Sequence, residues 1–476
     1  MIFNSFIFFI FLAFVLPVAF LLRDRKRKTF LLVASYIFYG YWDWRFCSLL
    51  AFSSVLDFYL GRWLSTTEQP QRRKHLVALS VAINLIFLGA FKYFNFFVDS
   101  FTTLVAYFGF QPDFLHLRII LPVGISFYTF QSMSYILDIY RGRLEPVDSL
   151  LDYVLFVSFF PHLVAGPIMR AKDLLPQIAR LHNPTRQQVV DGSILIVTGM
   201  FKKVLIGDTT GRIVDQIFGQ PHLYQSPELL MAWILFSVQI YADFSGYSNI
   251  ARGLGKLLGI EFMINFEQPY LSANITEFWR RWHISLSNWL REYLYIPLGG
   301  NRKGVGRTYV NLMLTMLLGG LWHGANWTFI VWGGLHGLYL AGHKLMLGDR
   351  KIQDRFAYQG VGRTAFFVIS VLFTNLLVLI SWLFFRAKDF SQAWYFLSRI
   401  LHWQSDALAW RLVPITATFL VVLIIYDVLE YATRDHTFLL RTRSMSAVAG
   451  VATALMLTVF IYMATSKPLP FVYFQF

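Results

Sequence analysis

Cysteine is almost absent from this chain: Cys47 is the only one in 476 residues, which excludes an intramolecular disulfide. Charge is scarce too, at 14% of residues, too little to clothe a soluble protein of this length. The histidines show no H-E-x-x-H spacing and no C-x-x-C accompanies them. His283 and His323 lack a third ligand, so no metal site is predicted. No P-loop is present and no G-x-G-x-x-G follows a strand pattern, which excludes a nucleotide-binding domain. Repeats, low-complexity linkers and breaks in composition are missing as well, so residues 1–476 read as one integral domain.

Apolar sequence is what the chain has in abundance. Hydrophobic residues make up 56%, mean hydropathy is +0.51, and aromatics reach 18% with 48 Phe. Apolar runs recur from end to end, so the predicted class is an all-α, polytopic integral membrane protein. The net charge of +15 is concentrated in short loops beside those runs. That is the positive-inside pattern, with attraction to anionic membrane lipids, and no basic domain stands apart to bind nucleic acid.

Residues 1–22 form an apolar segment followed, not preceded, by the basic cluster at 23–28. A secretory signal peptide has the opposite polarity, so a retained first helix is predicted, with the N-terminus outside. Spans near 29–41 and 46–63 return the chain to a second basic loop at Arg72, Arg73 and Lys74. Spans near 76–98 and 119–140 follow. In the second, Gln131, Ser132 and Asp138 suit interhelical hydrogen bonds or a site. Pro161, Gly166 and Pro167 interrupt the apolar run at 150–169, which reads as re-entrant or interfacial, with His162 as a packing residue, a ligand or a base. Asp243 lies within apolar sequence at 228–260; it is expected to pair with an arginine from the 280s or to shape a chamber. Basic loops around 349–355 and at Arg434, Arg441 and Arg443 alternate with spans near 364–385, 413–432 and 446–464, leaving the C-terminus outside. The total is about eleven crossings with one or two re-entrant elements.

Charged, aromatic and histidine residues are densest at 277–337. Ionisable groups at membrane depth are costly and mark a functional site. Read as one helix, 277–296 aligns Trp279, His283, Leu286, Leu290 and Tyr293 on one face, with Arg281 and Ser285 on a neighbouring one. Arg302, Lys303 and Arg307 precede an apolar run, 308–321, too short to cross a core of roughly 30 Å at about 1.5 Å per residue. A second run, 327–347, leads back to Arg350 and Lys351. The pair reads as a hairpin whose tip, WHGAN, ends roughly 20 Å into the membrane. His323 would sit there at broken backbone, which requires a cavity. Gly319, Gly320, Gly324, Gly333, Gly334 and Gly337 would let helices approach closely around it. A neutral imidazole can take a proton from an attacking hydroxyl, worth about 10²–10⁴ in rate. Packing, or gating in a transport path, would also place a histidine here. His336 falls on a different helix face from His323. No activated serine or cysteine is evident, so direct hydroxyl attack on an activated acyl group is the expected chemistry.

These residues resemble a known family. LPVGISFYTFQSMSY (121–135), FFPHLVAGPIMR (159–170), GMFKKVLIGD (199–208), YADFSGYSNIARGLG (241–255), EFWRRWHISLS with YIPLGGNR, GGLWHGANW (319–327) and the terminal YFQF are similar to membrane-bound O-acyltransferases, and within them to the bacterial alginate O-acetyltransferase group. Asn249 departs from the Asp expected in that group. The resemblance implies a helical shell of about 11 transmembrane helices, with re-entrant or interfacial helices, around a central tunnel. It implies catalytic roles for His323 in LWHG and His283 in RWHIS. Trp279, Arg280, Arg281, Trp322, Asn326 and His336 are then the candidates for substrate binding. No tightly bound cofactor is implied. The acyl donor would be acetyl-CoA or an acyl carrier, reaching the site from the cytoplasm. The acetyl group would pass to a periplasmic SGNH-type acetyltransferase or polysaccharide secretion complex, or directly to a sugar hydroxyl of a polymer such as alginate or cellulose. The implied location is the bacterial inner membrane, with both termini periplasmic. Two alternatives stay open: D-alanyl or other acyl transfer from a carrier protein to a surface polymer, and a transporter with gating histidines. Inverted repeats would favour transport, and none is visible.

Overall fold

A computed structural model describes residues 1–110, 118–164, 166–347, 361–438, 445–467 and 469–474. The basic stretch at 349–355, Arg441, Arg443 and the last two residues of YFQF lie outside the described residues. All α- and π-helices and short 3₁₀ turns, with no strand among the described residues, the fold agrees with the all-α expectation. The chain forms two compact units, Met1–Ser193 with Ala251–Met263, and Ile194–Ile250 with Ile264–Phe476.

In the first unit, α1 is Phe6–Leu21, α2 Asp24–Asp43 and α3 Phe46–Thr66. Helix α4 (Pro70–Leu88) runs through a π-helical turn, Gly89–Tyr93, into α5 (Phe94–Tyr107). Then come α6 (Ile125–Tyr140), α7 (Leu150–Ser158), α8 (Phe160–Leu163) and α9 (Ala171–Ala179). A buried polar group left without a hydrogen bond is costly, and several here are paired across helices. Asp57 of α3 accepts from Ser80 Oγ at 2.6 Å and Asn84 Nδ2 at 2.8 Å, both on α4. The Pro-interrupted stretch is two short helices rather than one, and the break is satisfied by Ser35, whose hydroxyl accepts from Phe160 N at 3.1 Å. His162 is a packing residue: Nε2 lies 3.1 Å from the Phe156 carbonyl and Nδ1 2.9 Å from Gln131 Nε2. Gln131 is thus an interhelical hydrogen-bonding group.

Helix α10 (Arg186–Met200) leads into a π-helical segment, Phe201–Asp208, and α11 (Thr209–Gly219) of the second unit. The remaining helices are α12 (Ser226–Leu257), α13 (Ile275–Arg281), α14 (Ile284–Leu290), α15 (Val305–His323), α16 (Trp327–Leu347), α17 (Val361–Arg386), α18 (Phe390–Leu401), α19 (Val413–Thr433) and α20 (Met445–Thr465). Four described stretches are long and apolar enough to cross a membrane: Pro70–Tyr107, Ser226–Leu257, Thr364–Arg386 and Leu408–Thr433. Phe6–Leu21 and Gly450–Thr465 are apolar but shorter. Helix α17 leaves Ile369, Leu372 and Phe373 exposed, and α19 leaves Ile424 and Ile425 exposed, as lipid-facing surfaces require.

Two expectations need correction. The single helix over 277–296 is three pieces: α13, α14 and a π-helical turn, Arg291–Tyr295. The chain breaks at His283, whose φ of 43° is in the left-handed region. Asn265 enforces the break, because its carbonyl accepts from Ile284 N at 2.9 Å and its side-chain oxygen from Ser285 N at 3.1 Å. Those N–H groups are then lost to a continuous helix. Asp243 pairs with a lysine, not with an arginine from the 280s: Lys203 Nζ lies 2.7 Å from its Oδ1.

Candidate active site

The hairpin α15–α16 brings the second histidine to its place. Its helices touch through glycine. A Cβ on Gly320 would overlap the Phe329 carbonyl oxygen and lie 3.2 Å from Gly333 Cα, while one on Gly333 would lie 3.0 Å from the Met316 carbonyl carbon. Only hydrogen side chains permit that approach. The turn after α15 is sharp: Gly324 is extended, and Asn326 starts α16, its Oδ1 accepting from Thr328 N at 3.0 Å and its Nδ2 donating to the Lys388 carbonyl at 2.8 Å. His323 is thereby the last residue of α15, as the hairpin reading expected, although the helix starts three residues before the apolar run.

His323 is 4% exposed and lies in an aromatic cage. Ring centroids of Trp332, Trp322, Phe385 and Tyr473 stand 4.9, 5.1, 5.3 and 5.3 Å away. The His283 ring is 6.5 Å from it. The left-handed turn fixes His283 itself. Its Nδ1 accepts from Leu286 N at 3.3 Å, capping α14, and Ser285 Oγ is held 2.9 Å from Asn265 Oδ1. Asn265 is anchored in turn, donating to Ser248 Oγ at 3.2 Å. An Nδ1 that accepts leaves the proton of a neutral imidazole on Nε2. His283 Nε2 is buried with no hydrogen-bond partner among the described residues. His283 therefore offers a free N–H donor, held on edge against Phe244 at 4.6 Å.

The remaining expected site residues divide by position. Trp322 is in the cage, 6.1 Å from the His283 ring. Trp279 and His336 form a layer behind Trp332. Trp279 Nε1 donates to His336 Nδ1 at 3.2 Å, and Ser381 Oγ, whose own proton goes to the Val378 carbonyl, lies 2.9 Å from His336 Nε2. Both His336 nitrogens are thus engaged by protein. Trp332 bridges this layer to the cage, 4.7 Å from His336 and 4.9 Å from His323. Arg280 is exposed at the end of α13, and Arg281 is bound to Glu277 at 2.7 Å and lies over the Tyr431 ring. Asn326 is at the hairpin turn, its amide committed to the cap. Among the described residues, no group of three or more His, Cys, Asp or Glu could hold a metal ion.

Tyr473, Asn265, Trp332 and Phe385 were not among the residues the sequence singled out for the site. Asn265 stands between apolar residues in a non-helical stretch with no periodicity to flag it. Tyr473 belongs to the terminal YFQF, which was recognised only as a match and given no role.

An imidazole ringed by aromatics and a second imidazole presenting N–H thus lie side by side, both buried, an arrangement chemically able to accept and donate a proton. Residues 147–385, which contain both histidines, match the membrane-bound O-acyltransferase (MBOAT) family. The chain is 45% identical over 397 residues to the probable alginate O-acetylase AlgI of Pseudomonas putida, covering 82% of this chain and 78% of that protein. It is 32% identical over 498 aligned positions to the peptidoglycan O-acetyltransferase of Helicobacter pylori, covering 94% and 91%. It is 30% identical over 247 residues to the teichoic acid D-alanyltransferase of Streptococcus thermophilus, covering 48% and 58%. The chain belongs to the membrane-bound O-acyltransferase family, as a multi-pass membrane enzyme that transfers acyl groups to oxygen.

Proposed function

We propose that this enzyme takes an acetyl group from a cytoplasmic thioester, acetyl-CoA, and delivers it across the bacterial inner membrane for O-acetylation of an extracellular polysaccharide such as alginate. His323 is the general base and His283 the hydrogen-bond donor to the developing oxyanion. The acceptor hydroxyl gives its proton to His323 as its oxygen attacks the thioester carbonyl carbon. The carbonyl oxygen, now negative, is held by His283 Nε2–H; such a donor is worth about 10²–10³ in rate. The C–S bond then breaks, and the leaving sulfur takes the proton from the imidazolium. Atoms and charge balance, and no covalent enzyme intermediate is needed.

The observation that carries this reading is the pairing of His283 and His323, with ring centroids 6.5 Å apart and the His283 Nε2 left free. The acetyl group is favoured over D-alanine by the longer and closer match to the alginate O-acetylase and peptidoglycan O-acetyltransferase relatives. In this reading the whole chain acts as one integral domain with about eleven crossings, both termini periplasmic, and re-entrant or interfacial helices around a tunnel to His323. Trp322 lines the chamber, Trp279 and His336 back its wall, and Arg280, Arg281 and Asn326 contribute to its mouths. The acceptor is a periplasmic SGNH-type acetyltransferase, a secretion complex or the polymer itself.

The test is the acetate content of the secreted polysaccharide in a deletion strain complemented with wild type or with His323→Ala. Acetate is expected to be absent with His323→Ala although the protein accumulates in the membrane. Normal acetylation in that strain would end the assignment.

A further inference from the structure

Three buried charges stand apart from the histidine pair. Lys203, in the π-helical segment Phe201–Asp208, has a side chain 1% exposed, and its Nζ lies 2.7 Å from both Asp208 Oδ1 and Asp243 Oδ1. Close backbone packing puts it there: a Cβ on Gly246 of α12 would lie 2.7 Å from Lys203 N, and one on Gly199 2.6 Å from the Gly246 carbonyl oxygen. A buried ion pair adds little net stability over apolar residues of the same volume, because desolvation cancels most of its attraction. The cluster is better explained by what it holds.

It holds the end of the chain. Lys203 Nζ also reaches the Leu469 carbonyl at 3.4 Å, and Asp243 Oδ2 accepts from Val472 N at 2.7 Å. The cation thus takes a backbone acceptor and the carboxylate a backbone donor three residues further on. The grip reads main chain, not side chains. Between and beyond these anchors the aromatic residues point inward. Phe471 lies 5.1 Å from Phe244 and 5.0 Å from Tyr247, and Tyr473 lies 4.8 Å from Phe244, 5.7 Å from Phe385 and 5.3 Å from His323. Arg212 of α11 adds a second fastening, donating to the Lys467 carbonyl and, at 3.3 Å, to Tyr462 Oη.

We propose that Lys203, Asp208 and Asp243 form a backbone clamp that positions the C-terminal segment, residues 469–474, as the wall of the site beside His323. They are positioning residues: none touches the histidine, and each acts through the segment it fastens. The proposal rests on the catalytic reading of His323 for its link to turnover, but not for the clamp itself.

The single native cysteine makes the test clean. In a Cys47→Ser background, Val472→Cys is a near-isosteric thiol reporter that leaves the clamped backbone N–H in place. The thiol is buried and expected to resist a membrane-permeant maleimide. The neutral triple variant Lys203→Met, Asp208→Asn, Asp243→Asn is expected to raise its labelling rate by roughly tenfold to a hundredfold, the worth of hydrogen bonds to charged groups. The same triple, without the reporter, should lose acyl-transfer kcat by a similar factor. KM for the acyl donor and the unfolding midpoint in detergent should stay near wild type. Asp243→Asn alone is read the same way should the triple fail to accumulate. Unchanged labelling would overturn the clamp, and so would a collapse of the unfolding midpoint, which would make the charges merely structural. Faster labelling with unchanged kcat would overturn the positioning role. His323→Ala should be inactive with the reporter still protected; an active His323→Ala protein would refute the catalytic reading and leave the labelling result standing.

Discussion

Gly333→Ala tests whether the glycine seam of α15–α16 sets the position of His323. The new methyl would overlap the Met316 carbonyl oxygen and sit 3.0 Å from its carbon. Carbon atoms rest comfortably at about 3.5–4.0 Å, so the two helices must part by roughly 0.5–1 Å. Overpacking of that size costs about 1–3 kcal/mol. His323 ends α15 two turns beyond Met316, and its ring contacts Trp332, the neighbour of the substituted residue, at 4.9 Å. Misplacing a catalytic group by about 1 Å can cost on the order of 10²-fold in rate. The expected result is a fall in kcat of about ten- to a hundredfold, with the protein still inserted. Gly334→Ala is the control, because its methyl would meet only Leu317 Cδ2 at 3.6 Å, an ordinary contact. Both variants are assayed for acyl transfer in detergent and for unfolding midpoint. Equal activity of the two would refute the claim that the seam holds the histidine.

The hairpin was legible in the sequence because two signals agreed: basic flanks on both sides and an apolar run too short to span. His283 was legible as a residue but not as a shape. Helical periodicity at 277–296 is genuine for each short piece, and nothing local reveals that Asn265, eighteen residues upstream, withdraws two N–H groups from the helix. The partner of Asp243 was missed for a related reason. Lys203 lies forty residues before Asp243, and its π-helical segment, Phe201–Asp208, places it opposite α12 only once the chain is folded. Tyr473 was missed because YFQF carries no periodicity or charged group that would tie it to a histidine 150 residues upstream.

Three further outcomes follow from the contacts. Asn265→Ala leaves the buried Ser285 N–H without its acceptor, a cost of about 1–3 kcal/mol, and frees the His283 turn; turnover should drop at least several-fold with donor KM little changed. Trp279→Phe removes the donor to His336 Nδ1 and should lower the unfolding midpoint by a similar free energy, while Trp279→Ala should lower it further through lost packing. Gly124→Ala, at φ 79° and with its Cβ 2.7 Å from the Leu163 carbonyl oxygen, should destabilise the first unit by at least about 1–2 kcal/mol yet spare activity per folded molecule. A stable Gly124→Ala protein would contradict the left-handed turn at the start of α6.

The central claim is that the imidazole of His323 carries the acyl-transfer chemistry. Its most direct test is purified protein in detergent given acetyl-CoA labelled in the acetyl group, wild type beside His323→Ala. Label is predicted to leave the thioester, by transfer or hydrolysis, in the wild type and to do so about 10²–10⁴-fold more slowly in the variant. Equal rates from two proteins with the same unfolding midpoint would contradict the account.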